Sequence, residues 1–277
     1  MKTLALSVVP QDVGCNAKCK FCISESTFKP DTPVRAVDYC VLDRACRFAK
    51  DCGAQTGIIT GKGEPLLMEM DRVQKVVNVM SEHFAQIDIH TNGKRIIELN
   101  RMGILSGLHD TGLTNITLSI AHYSMEHNGR LMGFEPYDVA KTIQILKDIG
   151  FHVRLSCVLA KSYIDSFEEI EQFLDFAHDS GADAVIFREL WVAGVDCPEK
   201  DWCKTHYVPL SLWGDFAKRK DLRRIMDLPW GGVYDYCGMA VSASECEYRQ
   251  VEFVKSLILL PDNHVYSSWA SEASKLW

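Results

Sequence analysis

Six times within its first 190 residues the chain alternates a short apolar run with a stretch of helical periodicity, which narrows the folds open to it. The apolar runs are 3–9, 55–60, 86–91, 115–120, 151–159 and 184–190. Between them, Val37, Val41, Ala45, Phe48, Ala49 and Cys52 share a helical stripe that Thr32-Pro33 opens and Gly53 stops. Met70, Val73, Val76, Val77, Met80 and Phe84 form a second stripe, and a short helix is expected around 96–102. Val139, Ile143, Leu146 and Ile149 mark a helix closed by Gly150. Ser166 and Glu169 read as a capping box for a helix that buries Phe167, Ile170, Phe173, Leu174 and Ala177 before Gly181. Strand–helix alternation without a long antiparallel run implies parallel strands joined by right-handed crossovers. Six units are too few for a closed eight-stranded barrel, so the expected fold is α/β, an open partial TIM barrel. Residues 1–190 are expected to form that core. Residues 191–277 read as an extension capping it: an irregular stretch to 247 with one helix near 212–226, then a terminal hairpin turning at Pro261-Asp262-Asn263.

The chemistry concentrates in the loop after the first run, Cys15-Asn16-Ala17-Lys18-Cys19-Lys20-Phe21-Cys22. Three cysteines at this spacing can carry a cubane iron–sulfur cluster, which usually takes four, so one iron is left open to a ligand. A zinc knuckle or three unrelated buried thiols is the alternative, but neither His nor Cys lies between Cys22 and Cys40 to complete a zinc site. A second motif, Gly61-Lys62-Gly63-Glu64-Pro65, follows the second run. Its glycines suit either a tight turn or close backbone approach to a ligand, and Glu64 also suits a helix start.

Together these motifs resemble the radical S-adenosylmethionine (SAM) superfamily. Its signature is C-x3-C-x-aromatic-C, with Phe21 here as the aromatic, and its Gly-Gly-Glu-Pro segment meets the SAM amino group. Lys62 stands where the family most often has its first glycine. The resemblance covers roughly residues 3–190 and implies a [4Fe-4S] cluster on Cys15, Cys19 and Cys22. SAM would chelate the fourth iron, against Gly61, Lys62, Gly63 and Glu64. In overall layout the chain is similar to the branch containing the molybdenum-cofactor GTP cyclase. By that likeness Thr91-Asn92, in an ordinary Thr-Asn-Gly turn, and Ser119 would meet SAM. The serine could equally bond its own backbone. The chain departs from that enzyme in having neither its Gly-Gly tail nor its triple-cysteine second-cluster pattern, so a different reaction is expected. The implied chemistry is reductive cleavage of SAM to a 5'-deoxyadenosyl radical, which takes hydrogen from a substrate. The cofactor carries that step, and the protein positions and shields it.

Ligands of parallel α/β folds bind at the carboxyl ends of the strands. Arg188 and Glu189 lie there, in an otherwise apolar run, and are the candidates for substrate contact; an ion pair with Arg154 or a neighbouring loop is the alternative. His90, His122 and His127 show no metal-ligand spacing. Cys40, Cys46 and Cys52 read as small hydrophobes on their helix. Cys197, Cys203, Cys237 and Cys246 match no usual cluster spacing and read as thiols in a Trp-rich cap, with a second iron–sulfur cluster as the alternative.

The net charge of −7 argues against general nucleic-acid binding. No run is long enough for a membrane span, and Met1-Lys2 leads straight into a strand. Eleven cysteines without a secretory signal fit a reducing cytoplasm. The expected partners are a small-molecule substrate (nucleotide, amino acid or sugar) and an electron donor such as flavodoxin or ferredoxin. A peptide- or protein-modifying enzyme is the alternative, although residues 1–14 leave no room for a leader-binding domain. A non-catalytic metal-binding module is the alternative of another class.

Overall fold

The computed structural model describes residues 1–31, 36–245, 249–250 and 252–277, the side chains of 249–250 excepted. Strands β1 (Lys2–Val8), β2 (Thr56–Ile59), β3 (Gln86–Thr91), β4 (Asn115–Ser119), β5 (His152–Val158) and β6 (Ala184–Arg188) lie where the apolar runs predict, within two residues at each end. The helices Tyr39–Asp51, Met70–Ser81, Ile96–Arg101, Val139–Ile149 and Phe167–Asp179 separate them as expected.

Two helix starts differ from the sequence pattern. The first long helix begins at Tyr39, where the Asp38 side chain accepts from the Cys40 and Val41 N–H groups; Thr32-Pro33 lies outside the described residues. At Ser166 only half of the capping box forms. The serine accepts from Glu169 N, while the Glu169 carboxylate faces His122, 3.5 Å away. Helices Ile104–Thr111, Met125–Met132 and Pro198–Thr205 are additions with little local signal. In Met125–Met132, Asn128 and Gly129 are poor helix formers, and tertiary contact compensates: the Ala121 N–H donates to Asn128 Oδ1 at 2.9 Å.

The C-terminal third differs most. The helix expected to reach Met226 is Ser211–Arg219; the chain turns at Asp221, with φ of +51°, and continues as strand. Strands β7 (Arg224–Leu228), β8 (Gly231–Tyr236) and β9 (Met239–Ser244) occupy much of the stretch read as irregular. Strands β10 (Arg249–Gln250), β11 (Phe253–Leu259) and β12 (Val265–Tyr266) follow. The terminal hairpin is present, with Ile258 opposite Tyr266 and Leu259 opposite Val265. Strand β11 also runs parallel to β1 from Lys2–Phe253 to Val8–Leu259, and β9 runs parallel to β6. The parallel run is therefore β11-β1-β2-β3-β4-β5-β6-β9, with β7, β8, β10 and β12 added antiparallel. This is a mixed α/β fold with a largely parallel sheet, as the partial-barrel reading requires.

Each central strand has two unlike faces. In β3, Ile87 and Ile89 are fully buried in the main core, whereas Gln86, Asp88 and His90 line an internal cavity. Asn115 and Ser119 of β4 and Arg154 and Ser156 of β5 line the same cavity, so the sheet curls around a lumen whose wall mixes these polar side chains with apolar and aromatic ones. The ends of the parallel run, β9 and β11, are not paired with each other among the described residues. A side chain bridges them: Lys255 Nζ donates to Ser244 Oγ at 2.5 Å and to the Glu245 carbonyl at 2.9 Å. Leu257 of β11 is fully buried in the main core. Leu257→Ala should destabilise the whole protein by about 2–5 kcal/mol, seen as one cooperative urea transition shifted to lower denaturant.

Candidate active site at the strand ends

The cysteine loop leaves β1 and is held from two sides. Lys18 N and Lys20 N donate to the Met132 and Leu131 carbonyls, which fasten it to the end of the Met125–Met132 helix. From β3, Asn92 Nδ2 donates to Asn16 Oδ1 at 2.7 Å and lies 3.9 Å from Cys15 Sγ. Cys15, Cys19 and Cys22 are free thiols, and Cys19 and Cys22 line the rim of the cavity. Burial, then the neighbouring Cys22 and Cys15, pushes the Cys19 thiol up to about 12; burial also raises Cys15. Thiols in this setting ionise when a metal replaces the proton. Their spacing decides which metal group they fit. Among the described residues the group of ligand atoms lying within 4.8 Å of one another is Asp43, Glu82 and His83, not the cysteines. Three sulfurs around one zinc, each about 2.3 Å from it, would fall inside that distance. As they stand, the three sulfurs are not drawn in to the spacing of a single zinc ion, and three thiols are the donors that a cubane cluster takes.

The Gly-x-Gly-Glu loop packs directly on the cysteine loop. A Cβ on Gly63 would lie 2.1 Å from the Val13 carbonyl oxygen and 2.6 Å from that of Gly14, so only glycine fits. A Cβ on Gly61 would meet the Gly63 carbonyl at 2.6 Å, a demand of the turn itself. Glu64 N donates to the Gly14 carbonyl at 3.1 Å. The Glu64 side chain is buried, and its oxygens accept from Leu66 N, Thr91 Oγ1 and Asn92 N at 3.0, 2.7 and 2.8 Å. Burial raises its carboxyl pKa, opposed by those hydrogen bonds and by Arg95. Thr91 and Asn92 are thus bound to Glu64 on one side, and Asn92 to the cysteine loop on the other.

The other sequence candidates line the cavity. Lys62 turns toward the chain after the cysteines, donating to Thr27 Oγ1 at 2.9 Å and to the Phe28 carbonyl; burial, then Lys29, lowers its ammonium to about 8. Ser119, at the end of β4, lines the cavity. Arg188 and Glu189 both reach the cavity, and the Tyr207 hydroxyl donates to Glu189 Oε1. Arg154 does not pair with Glu189; its guanidinium turns to Asp88. His122 and His127 meet edge to face with ring centroids 4.8 Å apart, and neither belongs to the Asp43–Glu82–His83 group. Cys46 is fully buried, with its thiol pushed up to about 12 by burial, in keeping with a packing role.

Cys203 packs with Leu190 beyond the end of β6, whereas Cys237 sits in the turn before β9, level with the start of β6. The five residues of β6, roughly 17 Å, separate them, so these thiols do not gather at one site. Cys197 caps the Pro198–Thr205 helix, and Cys246 lies outside the described residues.

A group missed in the sequence sits deeper in the lumen. Asp88 Oδ2 accepts from Thr117 Oγ1 at 2.8 Å and from Arg154 Nη2 at 2.5 Å, with His90 Nε2 at 3.4 Å. Burial opposes ionisation of Asp88, yet Arg154 and His90 hold its carboxyl down at about 2. Polar residues at alternate positions in QIDIHT, NITLS and HVRLS are the signal, but alternation reads by default as a water-facing side.

A family model described as the radical SAM superfamily matches residues 12–185, more than half of the chain. The chain belongs to the radical SAM superfamily. Enzymes of that superfamily work with a [4Fe-4S] cluster and SAM. Among solved structures, SuiB of Streptococcus suis bound to SAM is similar at 17% identity and TM-score 0.65, covering 99% of this chain and 63% of SuiB. SuiB bound to its precursor peptide SuiA matches at 17% identity and TM-score 0.63, covering 96% of this chain and 60% of that one. Native anSMEcpe with bound AdoMet matches at 14% identity and TM-score 0.60, covering 99% and 77%. The chain thus spans a little under two thirds of SuiB. These likenesses bear on the fold. No helix among the described residues is long and apolar enough to cross a membrane.

Gly63→Ala should destabilise the protein by about 1–3 kcal/mol in urea melts. Gly214→Ala, inside a helix with nothing within 4 Å of the new Cβ, should instead stabilise it by about 0.5–1 kcal/mol. Because the folded-state pKa of Asp88 is depressed from 3.8, its contribution is complete above that value and lost as pH falls toward about 2. The stability gap between wild type and Asp88→Asn should hold steady from about pH 7 to 5 and shrink below about pH 4, read by urea titration at each pH.

Proposed function

We propose that Cys15, Cys19 and Cys22 hold the cluster and that SAM lies on the rim formed by Gly61, Lys62, Gly63, Thr91, Asn92 and Ser119. Glu64 acts there by fixing the loops, since its carboxylate is engaged by Leu66, Thr91 and Asn92. The observation that carries this reading is the direct bonding between the two motif loops and the end of β3, with Cys19, Cys22, Gly61 and Lys62 of those loops lining one cavity of about 540 Å³. When bound, the cofactors supply reductive cleavage of the sulfonium and a radical that abstracts hydrogen. The chain supplies the rest. Its thiols bind, Asn92 orients the cysteine loop, and Trp191, Trp230 and Trp269 wall the cavity against water.

The substrate we assign is a small polar molecule in the lumen, where Asp88, Arg154, Arg188 and Ser156 offer polar contacts on several sides. Arg188 and Glu189 are the candidates for touching it. A peptide is the second reading, raised by the fold shared with SuiB, whose structure holds a precursor peptide. The electron donor is a one-electron protein such as flavodoxin or ferredoxin.

The test is anaerobic reconstitution followed by reduction in the presence of SAM. It should give about four iron and four sulfide per chain and release 5'-deoxyadenosine; neither cluster nor cleavage would end the reading. Cys19→Ala should lose the visible iron–sulfur absorbance, because two thiolates rarely retain a cubane. Retention of cluster and cleavage on replacing each of the three cysteines would overturn the ligand assignment. Release of 5'-deoxyadenosine above the substrate-free rate with small polar molecules but not with peptides separates the two substrate readings.

A further inference from the structure

The cysteine loop has two unlike sides. Cys19, Phe21 and Cys22 line the cavity, whereas Lys18 and Lys20, alternating with them, are exposed. Those two lysines belong to a cationic surface. Their backbone N–H groups bond the Met132 and Leu131 carbonyls, which brings them to the C-terminal end of the Met125–Met132 helix, where Arg130 is exposed. Lys18 Cβ lies 2.9 Å from where a Cβ on Gly133 would stand. Lys94, just past Asn92, completes the group, its Nζ 4.9 Å from the centroid of the Phe134 ring. None of these four cations forms an ion pair among the described residues. Of the carboxylates on the helix and the turn after it, Asp138 caps the next helix, and Glu126 and Glu135 are exposed. Four cations thus stand with two such carboxylates, on a chain whose net charge is −7.

We propose that this surface docks an acidic one-electron carrier protein, which reduces the cluster through the outer side of the cysteine loop. This rests on the cluster assignment given under Proposed function and adds the place and the charge of the donor. The first support is access. The cavity side of the loop is where SAM and substrate lie in that reading, so an electron has to come from the other side. Cys15 and Asn16 are exposed there and form no part of the cavity wall. The second is charge. A carrier bearing surface carboxylates is repelled by the chain as a whole and attracted to this one face, which orients it on encounter. No bond forms in the transfer: the carrier is oxidised by the one electron by which the cluster is reduced.

The test uses the anaerobically reconstituted full chain with two acidic carriers, a reduced flavodoxin and a reduced plant-type ferredoxin. Zero-length carbodiimide coupling, which joins a carboxylate to an amine in contact with it, should link at least one carrier to Lys18, Lys20 or Lys94, read by peptide mass spectrometry. In stopped flow, wild-type reduction by that carrier should slow as salt is raised. Lys94→Glu combined with Arg130→Glu should slow it about tenfold or more at low ionic strength, while reduction by dithionite keeps the wild-type rate. Lys75→Glu with Lys218→Glu, on the Met70–Ser81 and Ser211–Arg219 helices, makes the same change of charge elsewhere and should slow the carrier far less. Cations that served only the dipole of the helix end would cost the first pair stability and leave its carrier rates untouched. Coupling confined to other lysines, carrier rates equal to wild type in the first pair, or equal losses in both pairs would overturn the proposal. If the first pair fails to fold, the coupling map and the salt dependence of the wild type decide. A protein that assembles no cluster ends the radical reading and this one with it. A cluster that dithionite reduces, with neither carrier coupling to this face, ends the docking surface alone.

Discussion

Glu64, through its carboxylate and its backbone N–H, joins three parts of the molecule that are distant in sequence. It caps the short turn after β2 through Leu66 N and takes the Thr91 hydroxyl and the Asn92 N–H from the end of β3. Its own N–H reaches the Gly14 carbonyl in the cysteine loop. Charge-assisted hydrogen bonds in a buried setting are strong and directional. Through this junction, and through the bond from Asn92 to Asn16, the cysteine loop takes its position from the sheet. A loop free of that junction would hold three thiols in sequence but not in space.

The same division of labour runs along the strands. One face of each central strand is apolar and buries residues such as Ile87, Ile89 and Leu118 against the helices. That face supplies the hydrophobic drive for folding. The other face carries Asp88, Ser119, Arg154 and Arg188 into the lumen, where each must find a partner or a ligand. Asp88 and Arg154 show how the cost is met: they neutralise one another and leave one acceptor oxygen over. The lumen and its rim of thiols and aromatic rings thus lie on the inner side of the sheet, while stability is left to the outer layer.

Much of this was legible in the chain. The central strands and their main helices follow periodicities of two and 3.6 residues, which are local and survive without context. Cys15, Cys19 and Cys22, like Gly61 to Glu64, announce themselves by spacing. Strands β9 and β11 do not, because what makes them part of the parallel run is pairing with β6 and β1, far away in sequence. The Ser211–Arg219 helix was read too long because the turn at Asp221 depends on a single left-handed residue that periodicity does not register. Asp88 was passed over because alternating polar residues look the same whether they face water or a lumen.

The sequence by itself determined the alternating α/β architecture, the three-thiol loop and the glycine-bearing loop that packs on it, since each is written in contiguous residues whose local chemistry has few solutions. Only the tertiary structure decided that Glu64 serves as a junction, that Arg154 belongs to Asp88 and not to Glu189, and that the chain's last third lends two strands to the barrel. Those are relations between side chains and strands far apart in sequence, and their energies exist only once the sheet has curled and removed them from water.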